Sequence, residues 1–206
     1  METRRLLLTF GGLTIARLAL GQATSPPNPN NGLLPYRKLT WRDFPVRDDE
    51  GHRTQLARTE GRILWKYRTQ WTEKKRNWYV AELTEITLDT FFDLKRSWRK
   101  TNLGADPERL LAHEQVHLDL TYLHMLRLRQ VPLEQFGFGT GESAAVAQTD
   151  LDDKVKSYLE ASIKEHQRVQ DRYDVETSHG LNLVAQLSWE RKLARAIQDF
   201  TAPPTR

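Results

Sequence analysis

With 38% hydrophobic side chains, six tryptophans and 28% charged side chains, the 206 residues are too apolar and aromatic for a disordered chain and numerous enough for one domain with its own core. The formal charge of +4 does not indicate a nucleic-acid partner: residues 1–23 hold Arg4, Arg5 and Arg17 against Glu2, so 28 basic and 26 acidic side chains remain without them, a balance of +2. Cysteine is absent, which excludes disulfides, a thiol nucleophile, thiolate metal sites and a lipid-modified N-terminal cysteine; any chemistry must use His, carboxylates, Ser or Tyr.

The N-terminus places Arg4 and Arg5 before the apolar run Leu6–Ala16, followed by small residues at Gly21 and Ala23. That order predicts a signal peptide over residues 1–23, cleaved near Ala23, and a periplasmic or extracellular protein. The apolar run has 11 residues and ends at Arg17, whereas a spanning helix needs about 20, so no stable membrane span is expected. Residues 24–35 (TSPPNPNNGLLP) read as a linker, residues 36–200 as a single domain, and residues 201–206 as a disordered tail.

From residue 36 to about 100 the pattern is that of strands. Ile63, Trp65, Tyr67, Thr69 and Trp71 alternate with polar positions, and Tyr79, Ala81 and Leu83 alternate again after a charged turn at residues 73–77. The second half changes to a helical period. Asp106-Pro107 is a helix start, and Pro132 limits that helix to about Gln130. Leu151, Val155, Tyr158, Leu159 and Ile163 form the apolar stripe of a second helix; Leu183, Leu187, Ala194 and Ile197 form that of a third. The polar segment Tyr173–Gly180 is expected to connect them as a loop. The fold class is therefore α+β, an N-terminal antiparallel β-sheet packed against three C-terminal helices.

The chemistry concentrates in the first helix, at His113-Glu114-Gln115-Val116-His117. Residues four apart share one helix face, so the two imidazoles can converge on one ion while Glu114 approaches its bound water from the side. A shuffled chain of this composition would contain His-Glu-x-x-His about once in 100 sequences, so the motif alone is suggestive. Its setting inside a strong helix, flanked by Leu110, Leu111, Leu118 and Leu120, sharpens it. A third protein ligand is required. Position 123, six residues after His117, is Leu, and His124 lies about 10 Å along the axis from His117, too far to share a tetrahedron; His124 reads as second-layer support or packing. His52, His166, His179 and several carboxylates remain. His166 falls within a helix and reads as structural, while His179, in the polar segment beside the permissive Gly180, is the best placed.

Leu-Leu-Ala-His-Glu-Gln-Val-His-Leu-Asp (110–119), Tyr-Asp-Val-Glu-Thr-Ser-His-Gly (173–180), Gln186 and Trp189 resemble the motifs of the bacterial DUF922 family of secreted zinc-dependent proteases. Residues 39–44 (LTWRDF) and Ser97-Trp98 are similar to that family's other motifs, and the resemblance spans roughly residues 36–198. Val116 and Leu118 depart from the Gly and Phe expected there; neither position ligates metal, so the departures bear on substrate fit. The resemblance implies a zincin-like fold with the motif on the first long helix, a Zn2+ cofactor held by His113, His117 and His179, and a peptide or protein substrate. It further implies Glu114 as general base, Asp119 and Asp174 as acceptors that orient the imidazoles, and Tyr173 as a donor to the oxyanion. Two other readings remain open from the residues: an envelope binding or scaffold protein braced by a structural metal, and a metal-dependent amidase acting on cell-wall material.

Overall fold

Alternating apolar and polar residues build a long antiparallel hairpin, and the rest of the chain packs around it. The computed structural model describes residues 19–20, 32–49 and 55–202. In chain order the strands are β1 (Ala19–Leu20), β2 (Leu33–Pro35), β3 (Ala57–Arg58), β4 (Gly61–Lys75), β5 (Trp78–Asp93), β6 (Trp98–Arg99) and β7 (Gly139–Gly141); the helices are α1 (Pro107–Arg129), α2 (Ala144–Thr177) and α3 (Leu183–Thr201). The main sheet runs β1-β4-β5-β2, with β7 also paired to β5, and every pairing is antiparallel. Strands β3 and β6 form a separate two-stranded ribbon. The architecture is thus α+β, an antiparallel sheet plus three helices.

β4 and β5 pair from Gly61↔Phe92 to Lys75↔Trp78. Arg76 and Asn77 make the turn; Asn77 adopts the left-handed φ of 55° that so short a connection needs, and Glu73 Oε1 accepts its N–H. The inner face contributes Ile63, Ala81, Leu83 and Leu88 to a core completed by Met125, Leu126 and Leu128 of α1 and Ala147, Leu151, Val155 and Leu159 of α2.

α1 starts as expected. Asp106 accepts from the Arg109 N–H, Pro107 occupies the first turn, and the helix ends at Gln130 ahead of Pro132. It is buried on several sides: a second core sets Val116, Leu120 and Leu123 against Tyr173 of α2 and Leu193 of α3, and a third sets Leu118 against Leu39, Phe44 and Phe92. At 34 residues α2 is about 50 Å long. Its first half therefore covers the sheet while its second half crosses α1.

Several segments are placed differently from expectation. The supposed linker ends early, because Leu33–Pro35 pair with Phe91–Asp93 as β2; residues 24–31 lie outside the described residues. The signal-peptide region also lies outside them except for Ala19–Leu20, which extend the β4 edge opposite Arg68 and Thr69, a pairing that cleavage near Ala23 would remove. Residues 173–177 are the last turn of α2 and not a loop: Thr177 Oγ1 donates to Tyr173 O and holds that turn closed. On α3 the expected stripe is rotated. Leu183 and Leu187 are exposed, while Gln186 and Leu193 are buried, because α3 turns a polar glutamine toward the motif on α1. Of the tail, Thr201 closes α3 and residues 203–206 lie outside the described residues. Among the described residues no helix is long and apolar enough to cross a membrane.

β7 and α2 touch through glycine. A Cβ at Gly139 would overlap the Ala147 carbonyl oxygen and stand 2.6 Å from the Leu151 nitrogen, both rigid helix backbone. Gly139→Ala is accordingly expected to cost at least about 1–3 kcal/mol, read as a lowered urea midpoint; an unchanged midpoint would show that this contact does not form.

Candidate metal centre

The motif on α1 meets α2 along a polar seam. His113, His117 and Thr121 recur every four residues on one face of α1, and His166, Gln170 and Asp174 do the same on α2, so the antiparallel helices present matching rows. Thr121 Oγ1 lies 3.1 Å from His166 Nε2, His117 Nδ1 lies 2.6 Å from Gln170 Oε1, and both His113 and His117 reach Asp174. One step further, Ser162 Oγ lies 2.8 Å from His124 Nε2, and the His124 and His166 rings stack at 4.9 Å.

The seam determines which imidazole nitrogen carries the proton. Gln170 Nε2 donates to His117 O at 2.9 Å and has His166 Nε2 at 3.0 Å, which turns its carbonyl oxygen toward His117 Nδ1. From α3, Gln186 Nε2 donates to Glu190 Oε1 and its carbonyl accepts from Tyr173 OH, so that oxygen also takes the proton of His113 Nδ1 at 3.3 Å. Assigned this way, both rings leave Nε2 bare.

The two bare nitrogens stand 3.3 Å apart, and Asp174 Oδ1 stands 3.2 Å from one and 3.0 Å from the other. Three electron-pair donors so close repel unless something positive lies between them. Asp174 Oδ1 is buried without a hydrogen-bond partner, consistent with that arrangement. Bonds of about 2.0–2.1 Å to a tetrahedral ion place its ligand atoms roughly 3.3–3.4 Å apart, close to the spacing observed. His113, His117 and Asp174 therefore form a group that could hold a metal ion.

Proton-bearing imidazoles are the alternative to a cation at this point: burial would raise the Asp174 carboxyl, but donation from His113 and His117 overcomes it and holds the carboxyl well below the usual carboxylate range. Burial opposes charge on His117 too, and Asp174 and Glu114 outweigh it, so its pKa is raised. Glu114 is 4% exposed and its Oε2 is buried with no hydrogen-bond partner, leaving a carboxylate oxygen uncommitted on the motif itself.

The remaining expected residues are placed differently. His179 stands outside the candidate group, 76% exposed, with Nδ1 3.6 Å from Asp174 Oδ1; the third atom of that group is a carboxylate oxygen of Asp174, which the last turn of α2 aims inward. Tyr173 is fully buried, and its hydroxyl donates to Gln186 Oε1 and His113 O, so it is not free to donate to an oxyanion. Its ring instead stacks on His113 at 4.8 Å. Among the described residues Asp119 makes no hydrogen bond or ion pair with an imidazole. Its Oδ1 accepts from Tyr36 OH and Gln115 Nε2, tying the N-terminal segment to α1. His124 and His166 belong to the seam, as packing would suggest, and His52 lies outside the described residues. Gln170 carries no motif of its own; the one signal for it is its place four residues after His166 and four before Asp174. No family model, curated protein or solved structure matches the chain, so the DUF922 resemblance stands on its motifs alone.

If the group holds a divalent ion, Gln170→Leu is expected to weaken its binding by about 10–100-fold with secondary structure retained, measured with added metal by competition with a chromophoric chelator; undiminished affinity would remove Gln170 from the centre. A second expectation concerns acid. Burial, reinforced by His124 and His117, pushes His166 down to about 3. The unfolded chain takes up that proton near 6.5 and the folded one does not, so His166 contributes stability above pH 6.5 that is lost as pH falls toward 3. A series of urea midpoints across that window should fall with pH, and His166→Gln should flatten the fall; a variant with the native slope would contradict the assignment.

Proposed function

We propose that the chain is an exported, zinc-dependent hydrolase of peptide bonds in which His113, His117 and Asp174 hold the metal and Glu114 is the general base. The observation that carries this reading is the pairing of one convergent donor set with one uncommitted carboxylate: three ligand atoms 3.0–3.3 Å apart beside a buried, unpartnered Glu114 Oε2. Two imidazoles and a carboxylate suit zinc, and three protein ligands leave a fourth position open, as catalysis requires and a closed structural site does not.

Bound there, zinc would lower the pKa of a water from 15.7 toward about 7 and polarise the scissile carbonyl. The protein's part is then positional. Gln170 and Gln186 accept from the imidazole Nδ1 atoms and so orient the rings with Nε2 presented, and Tyr173 holds His113 in place through its stacked ring and its bond to the His113 carbonyl. Glu114 takes a proton from the attacking water and passes it to the leaving amine. Its burial keeps bulk water from competing for that oxygen. Export follows from the N-terminal pattern of Arg4, Arg5, the apolar run and Ala23.

A structural metal that merely braces α1 against α2 would use the same seam but has no need of an unsatisfied glutamate oxygen, which costs stability in a buried site. The zincin-like assignment rests on the same pairing of motif helix and glutamate. Glu114→Gln should retain one equivalent of zinc by elemental analysis while cleavage of denatured casein falls by at least about 100-fold. Retained turnover in that variant, or a zinc-loaded wild type that cleaves no member of a peptide library, would overturn the proposal.

A further inference from the structure

With Asp174 in the ligand group, His179 is left without the role its motif implied, yet its setting is constrained. Ser178, His179 and Gly180 all take left-handed backbone, with φ of 49°, 53° and 80°. Two consecutive non-glycine residues in that region are strained, and such strain persists where surrounding structure enforces it. Here the enforcement is visible. His179 N–H donates to Asp174 O, Asn182 N–H donates to Thr177 O, Gly180 N–H donates to Thr177 Oγ1, and Gly180 lies so close to His113 that an added Cβ would meet the ring's Cγ at 3.1 Å. The turn is clamped on a metal ligand, and its one projecting polar ring is His179, 76% exposed, with Nδ1 3.6 Å from Asp174 Oδ1.

We propose that His179 is a catalytic residue on the solvent side of the centre, where its ring N–H donates to the carbonyl oxygen of the bound peptide as that oxygen gains charge. This rests on the hydrolase reading and assigns to His179 the role that the buried Tyr173 hydroxyl is not free to fill. At 3.6 Å the Nδ1 is too far from Asp174 Oδ1 to be consumed by a hydrogen bond, so an N–H there remains open to a substrate oxygen. The left-handed turn keeps the ring over the donor group without making it a ligand. A donor placed in advance on a charging oxygen is worth about 100–1,000-fold in turnover.

Two substitutions and two measurements test this. His179→Ala should bind one equivalent of zinc with wild-type affinity by chelator competition, while kcat on a quenched fluorescent peptide falls about 100-fold or more. His179→Asn, which tolerates left-handed backbone and keeps an N–H donor, should recover part of that loss. Loss of zinc from His179→Ala would make His179 a ligand and overturn the inference while leaving the hydrolase intact. Wild-type turnover in His179→Ala would overturn it too. A wild type that binds zinc and cleaves nothing would remove the parent reading, and this one with it.

Discussion

Two polar rows, one on α1 and one on α2, must face each other inside a largely apolar helix interface, and the placement of every group at the centre follows from that. A buried polar group without a partner costs on the order of 1–3 kcal/mol, so a half-complete seam would be worse than an apolar one. Here the rungs complete one another. Thr121 and His166 hold the Gln170 amide, Gln170 holds His117, and Gln186 with Tyr173 holds His113. Two groups are left over: Asp174 Oδ1 and Glu114 Oε2. In a network otherwise so thoroughly paired, these are the two oxygens that the proposed hydrolysis would use.

The scaffold explains why the seam can exist at all. α1 is covered on one side by the sheet, on another by α3 and on a third by the segment around Leu39 and Phe44, and His113 is buried while His117 keeps only slight exposure. The long hairpin provides a rigid floor, and α2 is anchored to that floor by its first half through Leu151, Val155 and Leu159 before it reaches the motif with its second. Precision at Asp174 thus derives from packing that begins more than five turns earlier in the same helix. Asp119, Tyr36 and Gln115 extend the arrangement outward, and Leu39 N–H donates to Gln115 Oε1 in the middle of the motif.

Local signals were legible in the sequence, and pairings between distant helices were not. The hairpin, the Asp106-Pro107 start and the end of α1 before Pro132 follow from period, capping and the missing N–H of proline, all of which act within a few residues. His113 and His117 were evident for the same reason, since their spacing is a property of one helix. Asp174 reads only as a supporting acceptor, because the polar run 173–180 resembles a loop; its helical state depends on Tyr173 being buried between α1 and α3, which no local pattern records. The buried face of α3 is hidden from the sequence on similar grounds. Leu183 and Leu187 outrank Gln186 in hydrophobicity, but Gln186 is drawn inward by Tyr173 and His113, and the leucines turn out to solvent.

The four-residue repeat on both helices has one more effect. Apolar contacts between α1 and α2 are forgiving, and sliding one helix past the other by a single turn would leave many of them acceptable. The polar rows are not forgiving. A one-turn slip that brought Gln170 opposite His113 would carry His166 opposite His117, set Ser162 opposite Thr121 and strand Asp174 beyond His113, away from the paired imidazoles. The same side chains that assemble the centre therefore act as a ratchet tooth, selecting a single alignment of the helices from several that greasy packing would accept.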